Sequence, residues 1–446
     1  MDPHLIGYGG IAVVLVMLAL RIPIAISLGS VAAGGMLLAY SWQPWMPFSL
    51  AAAWAPVASL LGSTPIDFIN SYALSTVPLF IFIGHLAFQA GFTGDIYAAA
   101  RVWLARMPGG LAIASIVGCG GFSAISGSSV ACAAAMGRIA VPEMLESRYS
   151  RALATGSVAI GGTLGSLIPP SILFIIFGVF AEQSIAKLFL AAAVPGLLSL
   201  LGYILVVMVW VRLRPGDAPR PDQETAREHR GAALARCWPI LTLFFVIIGG
   251  IYLGAFTPTE AAGVGAIATL ALGLVLRRLS FSRIAEALRE AVTQSAQLFA
   301  IAIAGKLFVN FIALTNVATQ LTEWIGSAEL SVVLVMGLIA LLYVVLGMML
   351  DPLGIILLTL PLTLPVVESY GLDLIWFGVI VVKLLEIGLV TPPIGLNVFV
   401  IKSIVGDKIP LERIFVGVGA FLISDVVVML LLLVFPILSL FLPGLL

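Results

Sequence analysis

The chain has 446 residues, 22 basic against 22 acidic, with 61% hydrophobic and only 10% charged side chains, and a mean hydropathy of +1.16. Soluble domains are about 45–50% apolar and about 25% charged, so this composition demands lipid as solvent and excludes an ordinary water-soluble protein. Zero net charge without a basic, aromatic-interleaved patch argues against nucleic acid, and scattered histidines (His4, His85, His229) with cysteines lacking CxxC spacing (Cys119, Cys132, Cys237) offer no disulfide framework, zinc site or nucleophile set. The amino terminus, Met-Asp-Pro-His, lacks a basic n-region and cleavage site, so the first apolar run reads as a retained helix. Apolar runs and their breakers predict membrane helices near 5–20, 22–40, 72–90, 111–143, 152–181, 188–211, 238–255, 260–277, 292–312, 330–365, 374–401 and 412–443. Long unbroken runs, in place of ten-residue alternation, make the fold an all-α polytopic membrane protein and exclude an outer-membrane barrel.

The only long polar stretch, 212–236, carries Arg212, Arg214, Arg220, Arg227, Arg230 and Arg236 with Asp217, Asp222, Glu224 and Glu228, and reads as a cytoplasmic linker. All other basic residues except Lys187, Lys306 and Lys383 fall on that same side if segments 111–143 and 330–365 enter and leave by one face. Those two segments are therefore predicted as re-entrant hairpins, with tips at 118–129 and 346–354.

An offset of 223 residues takes Pro142 to Pro365, Gly165 to Gly388, Pro169 to Pro392, Pro170 to Pro393, Gly196 to Gly419 and Ser128 to Asp351. Residues 1–211 and 237–446 thus read as two repeats, each with scaffold helices, an arm helix, a hairpin and a Pro-Pro-interrupted helix (near 152–181 and 374–401). Five crossings per half invert the second relative to the first. The charge pattern agrees: the amphipathic stretch 43–70 has no basic residue, whereas 277–290 has four arginines. Inverted repeats with discontinuous helices belong to secondary transporters, whose sites lie where the broken helices meet.

Unwound backbone at membrane depth persists only where something polar occupies it. Four breaks qualify: 123–137 with Ser126, Gly127, Ser128 and Ser129; 161–171 with Gly161, Gly162, Gly165, Pro169 and Pro170; 346–354 with Asp351; and 386–397 with Thr391 and Asn397. Inward carbonyls and hydroxyls suit Na⁺, and half-helix amino ends suit a carboxylate. Competing structural readings stand beside these. The run Gly127 to Ala135 could be a close-packing interface, and Asp351 before Pro352 a helix cap. Lys383 and Glu386, at i, i+3, read as a mutually neutralising pair; Lys306 snorkels or compensates a buried acid; Glu260 favours a helix amino end. His85, Asp425, Trp42, Trp45 and Trp54 read as packing or interface anchors.

The strings GFSAISGSSVACAAAMGRIAVPEM, GGTLGSLIPPSILFIIFGVFAEQSIAKLFLAAAVPGLL, AFTPTEAAGVGA, LGMMLDPLGIILLTLPLTLPVV and WFGVIVVKLLEIGLVTPPIGLNVFVI together resemble the DctM-type large membrane subunit of tripartite ATP-independent periplasmic (TRAP) transporters, over essentially the whole chain. The resemblance implies an elevator-type, sodium-coupled importer of the bacterial inner membrane. Its partners would be a small four-helix membrane subunit (DctQ-type), expected here as a separate chain, and a periplasmic substrate-binding protein (DctP-type) delivering an organic acid such as a dicarboxylate, sugar acid or sialic acid. It also implies sodium contact by Ser126, Gly127, Ser128, Thr163, Gly165 and Pro169 in the first repeat and by Gly347, Asp351, Gly388, Thr391, Pro392 and Asn397 in the second. Ser129 and Ser171 are expected on the substrate side. No Walker motif is present, consistent with ion-driven transport. The alternatives are a stand-alone sodium/anion symporter and a membrane enzyme, the latter disfavoured by the lack of any clustered catalytic set.

Overall fold

The computed structural model describes residues 2–42, 47–219 and 230–445. Trp45 and the middle of the linker, with Arg220, Arg227, Asp222, Glu224, Glu228 and His229, lie outside them. All regular secondary structure among the described residues is helical, with no strand. The first half comprises α1 (Pro3–Ala19), α2 (Ile24–Ser41), α3 (Leu50–Ile69), α4 (Thr76–Gln89), α5 (Phe92–Leu104), α6 (Gly110–Ser126), α7 (Ser129–Glu146), α8 (Arg151–Leu167), α9 (Ile172–Phe180) and α10 (Ile185–Leu213). After the short α11 (Arg230–Ala235), α12 (Trp238–Phe244) runs through a π turn at Phe245–Gly249 into α13 (Gly250–Tyr252). Then follow α14 (Pro258–Val275), α15 (Phe281–Thr315), α16 (Val317–Ser327), α17 (Val332–Gly347), α18 (Pro352–Ser369), α19 (Leu374–Val390), α20 (Leu396–Val405), α21 (Leu411–Val434) and α22 (Ile437–Leu440). Eight helical segments, one of them the interrupted pair α8–α9, are long and apolar enough to cross a membrane.

Hairpins stand where the basic residues required them. α6 and α7 are joined at Gly127 and Ser128, and α17 and α18 through Met348–Asp351. Shifting Ser129–Glu146 by 223 residues lands on Pro352–Ser369, and shifting Arg151–Leu167 lands on Leu374–Val390. The interrupted helices break at Ile168–Ser171 and Thr391–Gly395, each around a cis Pro–Pro bond. This is an all-α fold with one hairpin and one discontinuous helix in each half.

Several boundaries differ from expectation: the hairpins run to Glu146 and Ser369, past 143 and 365; of the predicted breaks 161–171 and 386–397 only 168–171 and 391–395 leave the helix; and the predicted span 412–443 ends at Val434, before Pro436. The predicted arm at 277–290 and span at 292–312 form one 35-residue helix, because nothing between Phe281 and Ala304 interrupts the hydrogen-bond ladder. In the first half, α3 ends at Ile69 and a short 3₁₀ turn, Tyr72–Ser75, precedes α4. Helices α5 and α16, of 13 and 11 residues, fill segments left between the predicted spans; each is too short to cross. Glu260 closes a capping box at the start of α14, accepting from the Thr257 amide at 2.8 Å, as its position at a helix amino end suggested.

Candidate functional site

The first hairpin tip is seated against a helix break, and the second hairpin meets its interrupted helix just before the break. Gly127, at φ +63°, closes α6 in the left-handed conformation, and a Cβ there would lie 2.6 Å from the Pro170 carbonyl oxygen. Its carbonyl accepts from the Ile172 amide at 3.2 Å, tying tip to break. A Cβ on Gly165 would lie 2.5 Å from the Ser128 carbonyl oxygen. In the second half the approach is made by Gly347 and Gly388: a Cβ on Gly388 would fall 2.6 Å from the Gly347 Cα. These glycines let α8 and α19 touch the hairpins backbone to backbone.

Repeat counterparts Ser128 and Asp351 do the same local work. Ser128 Oγ accepts from the Ala131 amide at 3.4 Å and caps α7; Asp351 Oδ1 accepts from the Leu353 and Gly354 amides at 3.0 and 3.2 Å and caps α18. Asp351 Oδ2 takes no hydrogen bond from the described residues and the carboxylate lines a cavity of about 280 Å³. Capping and lining are thus served by one side chain. Ser128, Ser129, Ser166, Gln294 and Gln297 share that chamber.

The first residues of four half-helices also line it: Ser129 of α7, Ile172 of α9, Pro352 of α18 and Leu396 of α20. Helix amino ends carry about half a positive elementary charge each, so a single chamber gathers four of them around one acidic side chain. Opposite charge character belongs to the carboxyl ends of α6, α8, α17 and α19, which stop at Ser126, Leu167, Gly347 and Val390. Two buried oxygens lack any hydrogen-bond partner among the described residues: Ser126 Oγ at the carboxyl end of α6 and Asn397 Oδ1 in the first turn of α20. Asn397 Nδ2 donates to the Ala159 carbonyl at 3.4 Å, joining α20 to α8 across the repeats.

Remaining expected residues are placed as follows. Thr163 is fully buried on α8, donating to the Ile160 carbonyl at 2.7 Å. Thr391 Oγ1 donates to the Ile387 carbonyl at 2.5 Å, and Pro169 and Pro392 occupy the two breaks. Ser129 lines the chamber, whereas Ser171 turns its hydroxyl back to the Ser166 carbonyl at 2.5 Å, inside the break. Gln294 and Gln297 are chamber residues that sequence reading passed over. The signal available was two amides three positions apart at the foot of a predicted apolar span.

A smaller cavity of about 160 Å³ shares Ser128, Ile172 and Gln294 and extends to Arg138, His85 and Glu290. His85 is not a packing anchor. Its Nδ1 lies 2.8 Å from Glu290 Oε2 and its Nε2 3.0 Å from Gln294 Oε1. Asp425 also departs from the anchor reading, lying 2.7 Å from Lys383 Nζ inside the protein. Lys383 and Glu386 are paired at 3.2 Å as their spacing predicted, and Asp425 makes the pair a triad. No acid among the described residues pairs with Lys306.

The model of the family described as "Tripartite ATP-independent periplasmic transporter, DctM component" matches residues 11–438. The chain belongs to the DctM family. Among its DctM relatives, the C4-dicarboxylate TRAP transporter large permease protein DctM of Pseudomonas aeruginosa is 35% identical over 374 residues, covering 84% of this chain and 85% of that one. The sialic acid TRAP transporter large permease protein SiaM of Vibrio cholerae is 32% identical over 411 residues, covering 90% and 95%. In fold the chain is similar to the Alcanivorax borkumensis YdaH transporter, described as having an unusual topology, with a TM-score of 0.58 over 98% of each chain at 14% identity. This DctM-family subunit is a TRAP large permease and a multi-pass protein of the bacterial inner membrane.

Proposed function

We propose that the chain is the large subunit of a sodium-coupled secondary importer, taking an organic acid of the dicarboxylate, sugar-acid or sialic-acid type through an elevator-type motion. The carrying observation is the convergence of four half-helix amino ends on one chamber of about 280 Å³. Such ends favour a carboxylate, and the neighbouring serines and glutamines donate hydrogen bonds that orient it. The orphaned Ser126 and Asn397 oxygens, with carbonyls freed at the breaks, favour a hard cation beside it. Two relatives named for carboxylated substrates, a C4-dicarboxylate and sialic acid, support the acid class.

In this reading the hairpins and interrupted helices, α6–α9 and α17–α20, move together against the helices before them in each repeat. The repeats are 1–211 and 237–446, separated by the linker 212–236. Gln294 and Gln297 on α15 reach the chamber from the static side. Sodium bound near the breaks offsets Asp351 and readies the chamber for a second carboxylate. A separate DctQ-type small subunit would pack on the static helices, and a DctP-type periplasmic protein would deliver the acid.

The test is uptake of labelled organic acids into proteoliposomes holding this chain and its small subunit. Uptake is expected only with both an inward sodium gradient and the cognate binding protein. Uptake indifferent to sodium contradicts ion coupling; uptake without the binding protein establishes the stand-alone symporter instead.

A further inference from the structure

Thr163 and Glu386 are repeat counterparts under the 223-residue shift, and one buried chain of polar groups joins them. From Glu386 Oε2 it passes at 3.2 Å to Lys383 Nζ, at 2.7 Å to Asp425 Oδ1, at 2.6 Å to the Tyr203 hydroxyl and at 3.2 Å to Thr163 Oγ1. Ser199 Oγ accepts a further bond from Lys383 at 3.0 Å. The members come from α8, α10, α19 and α21, so both interrupted helices and the last long helix of each repeat meet here. All of these side chains are fully buried.

Donor and acceptor capacity fixes how the chain works. An ionised carboxylate only accepts, so Tyr203 donates its one hydrogen to Asp425 and keeps its lone pairs. Thr163 likewise has one hydrogen but two acceptors within reach, the Ile160 carbonyl at 2.7 Å and the Tyr203 oxygen at 3.2 Å. Tyr203 therefore competes for the direction of the Thr163 hydroxyl, and that direction decides where the Thr163 lone pairs point. Lys383 donates to Asp425 and Glu386, so the second repeat's acids set the position of Tyr203 from behind.

We propose that Tyr203, held by the Asp425–Lys383–Glu386 cluster, is a positioning residue for the first ion region and links sodium affinity there to the charge cluster of the second repeat. This inference rests on the sodium-coupled reading. It assigns Tyr203 no contact with the ion; the residue acts through Thr163.

The experiment is the sodium activation curve of uptake by the full complex, for wild type, Tyr203→Phe, Asp425→Asn and the double variant, together with the substrate KM at saturating sodium. Tyr203→Phe is expected to raise the sodium half-saturation about three- to tenfold, the factor for one lost hydrogen bond. Substrate KM at saturating sodium stays as in wild type, and the double variant shifts no further than the larger single shift, because both act along one path. Should Tyr203→Phe fail to yield a monodisperse complex, Asp425→Asn, which keeps the shape and an acceptor for Tyr203, is expected to shift sodium half-saturation in the same direction. Wild-type sodium half-saturation in the variants overturns the proposal, as does a proportional rise in substrate KM or a fall in maximal rate alone. A wild-type protein without sodium activation overturns the sodium reading itself, and this proposal with it.

Discussion

Lys383 is the residue on which the buried charge of the core turns. One ammonium faces two carboxylates, and Glu386 Oε1 and Asp425 Oδ2 are left without partners among the described residues. Replacing it with an isosteric apolar residue, Lys383→Met, strands both acids, which is expected to cost about 3–5 kcal/mol. Ser199→Ala removes only a neutral bond, with an expected cost of about 1 kcal/mol. Thermal unfolding of the detergent-solubilised protein separates the two; equal losses contradict the account. The i, i+3 spacing made the Lys383–Glu386 pair legible in the sequence. Asp425 and Tyr203 were not, because their partnership depends on how α10, α19 and α21 pack, and no local spacing encodes that. Ser128 and Asp351 were legible for the opposite reason: small or acidic residues at a break announce themselves locally, whereas Gln294 and Gln297 sit on an uninterrupted helix.

At the scale of elements, the hairpins lie backbone to backbone on the interrupted helices because glycine stands at the contact. A methyl group on Gly165 or Gly388 meets backbone atoms at 2.5 and 2.6 Å, and backbone cannot rotate away as a flexible side chain does. Gly165→Ala and Gly388→Ala are each expected to cost about 1–3 kcal/mol by overpacking and to reduce uptake more than expression. Melting temperature and uptake measured on the same preparations check this; full uptake in either variant contradicts the close packing of hairpin on interrupted helix. Both Pro–Pro breaks and the two hairpin segments were readable from residue type and charge, since proline removes a donor and glycine permits close approach; the exact helix bounds were not. The merging of arm and span in α15 was not, because an amphipathic segment followed by an apolar one changes solvent without changing helix.

For the whole molecule, the decisive expectation is that the two halves face opposite sides of the bilayer. It rests on basic residues, absent from 43–70 and concentrated in 277–290. Single cysteines placed at the exposed positions Ala51 on α3 and Ser282 on α15 test it, since Cys119, Cys132 and Cys237 are buried. Ala51→Cys is expected to react with an impermeant maleimide in spheroplasts, and Ser282→Cys only after permeabilisation. Labelling of both from one side contradicts inversion. Within this frame Asp351, at the tip of the second hairpin, lines a chamber bordered by helix amino ends, and the proposed ion coupling depends on its charge. The most direct test of that claim is the sodium activation curve of acid uptake for wild type and Asp351→Asn at matched expression. The sodium half-saturation is expected to rise about tenfold in the variant, the factor for one charge-assisted contact of about 1.4 kcal/mol. An unchanged curve would remove Asp351 from the coupling site and contradict the account.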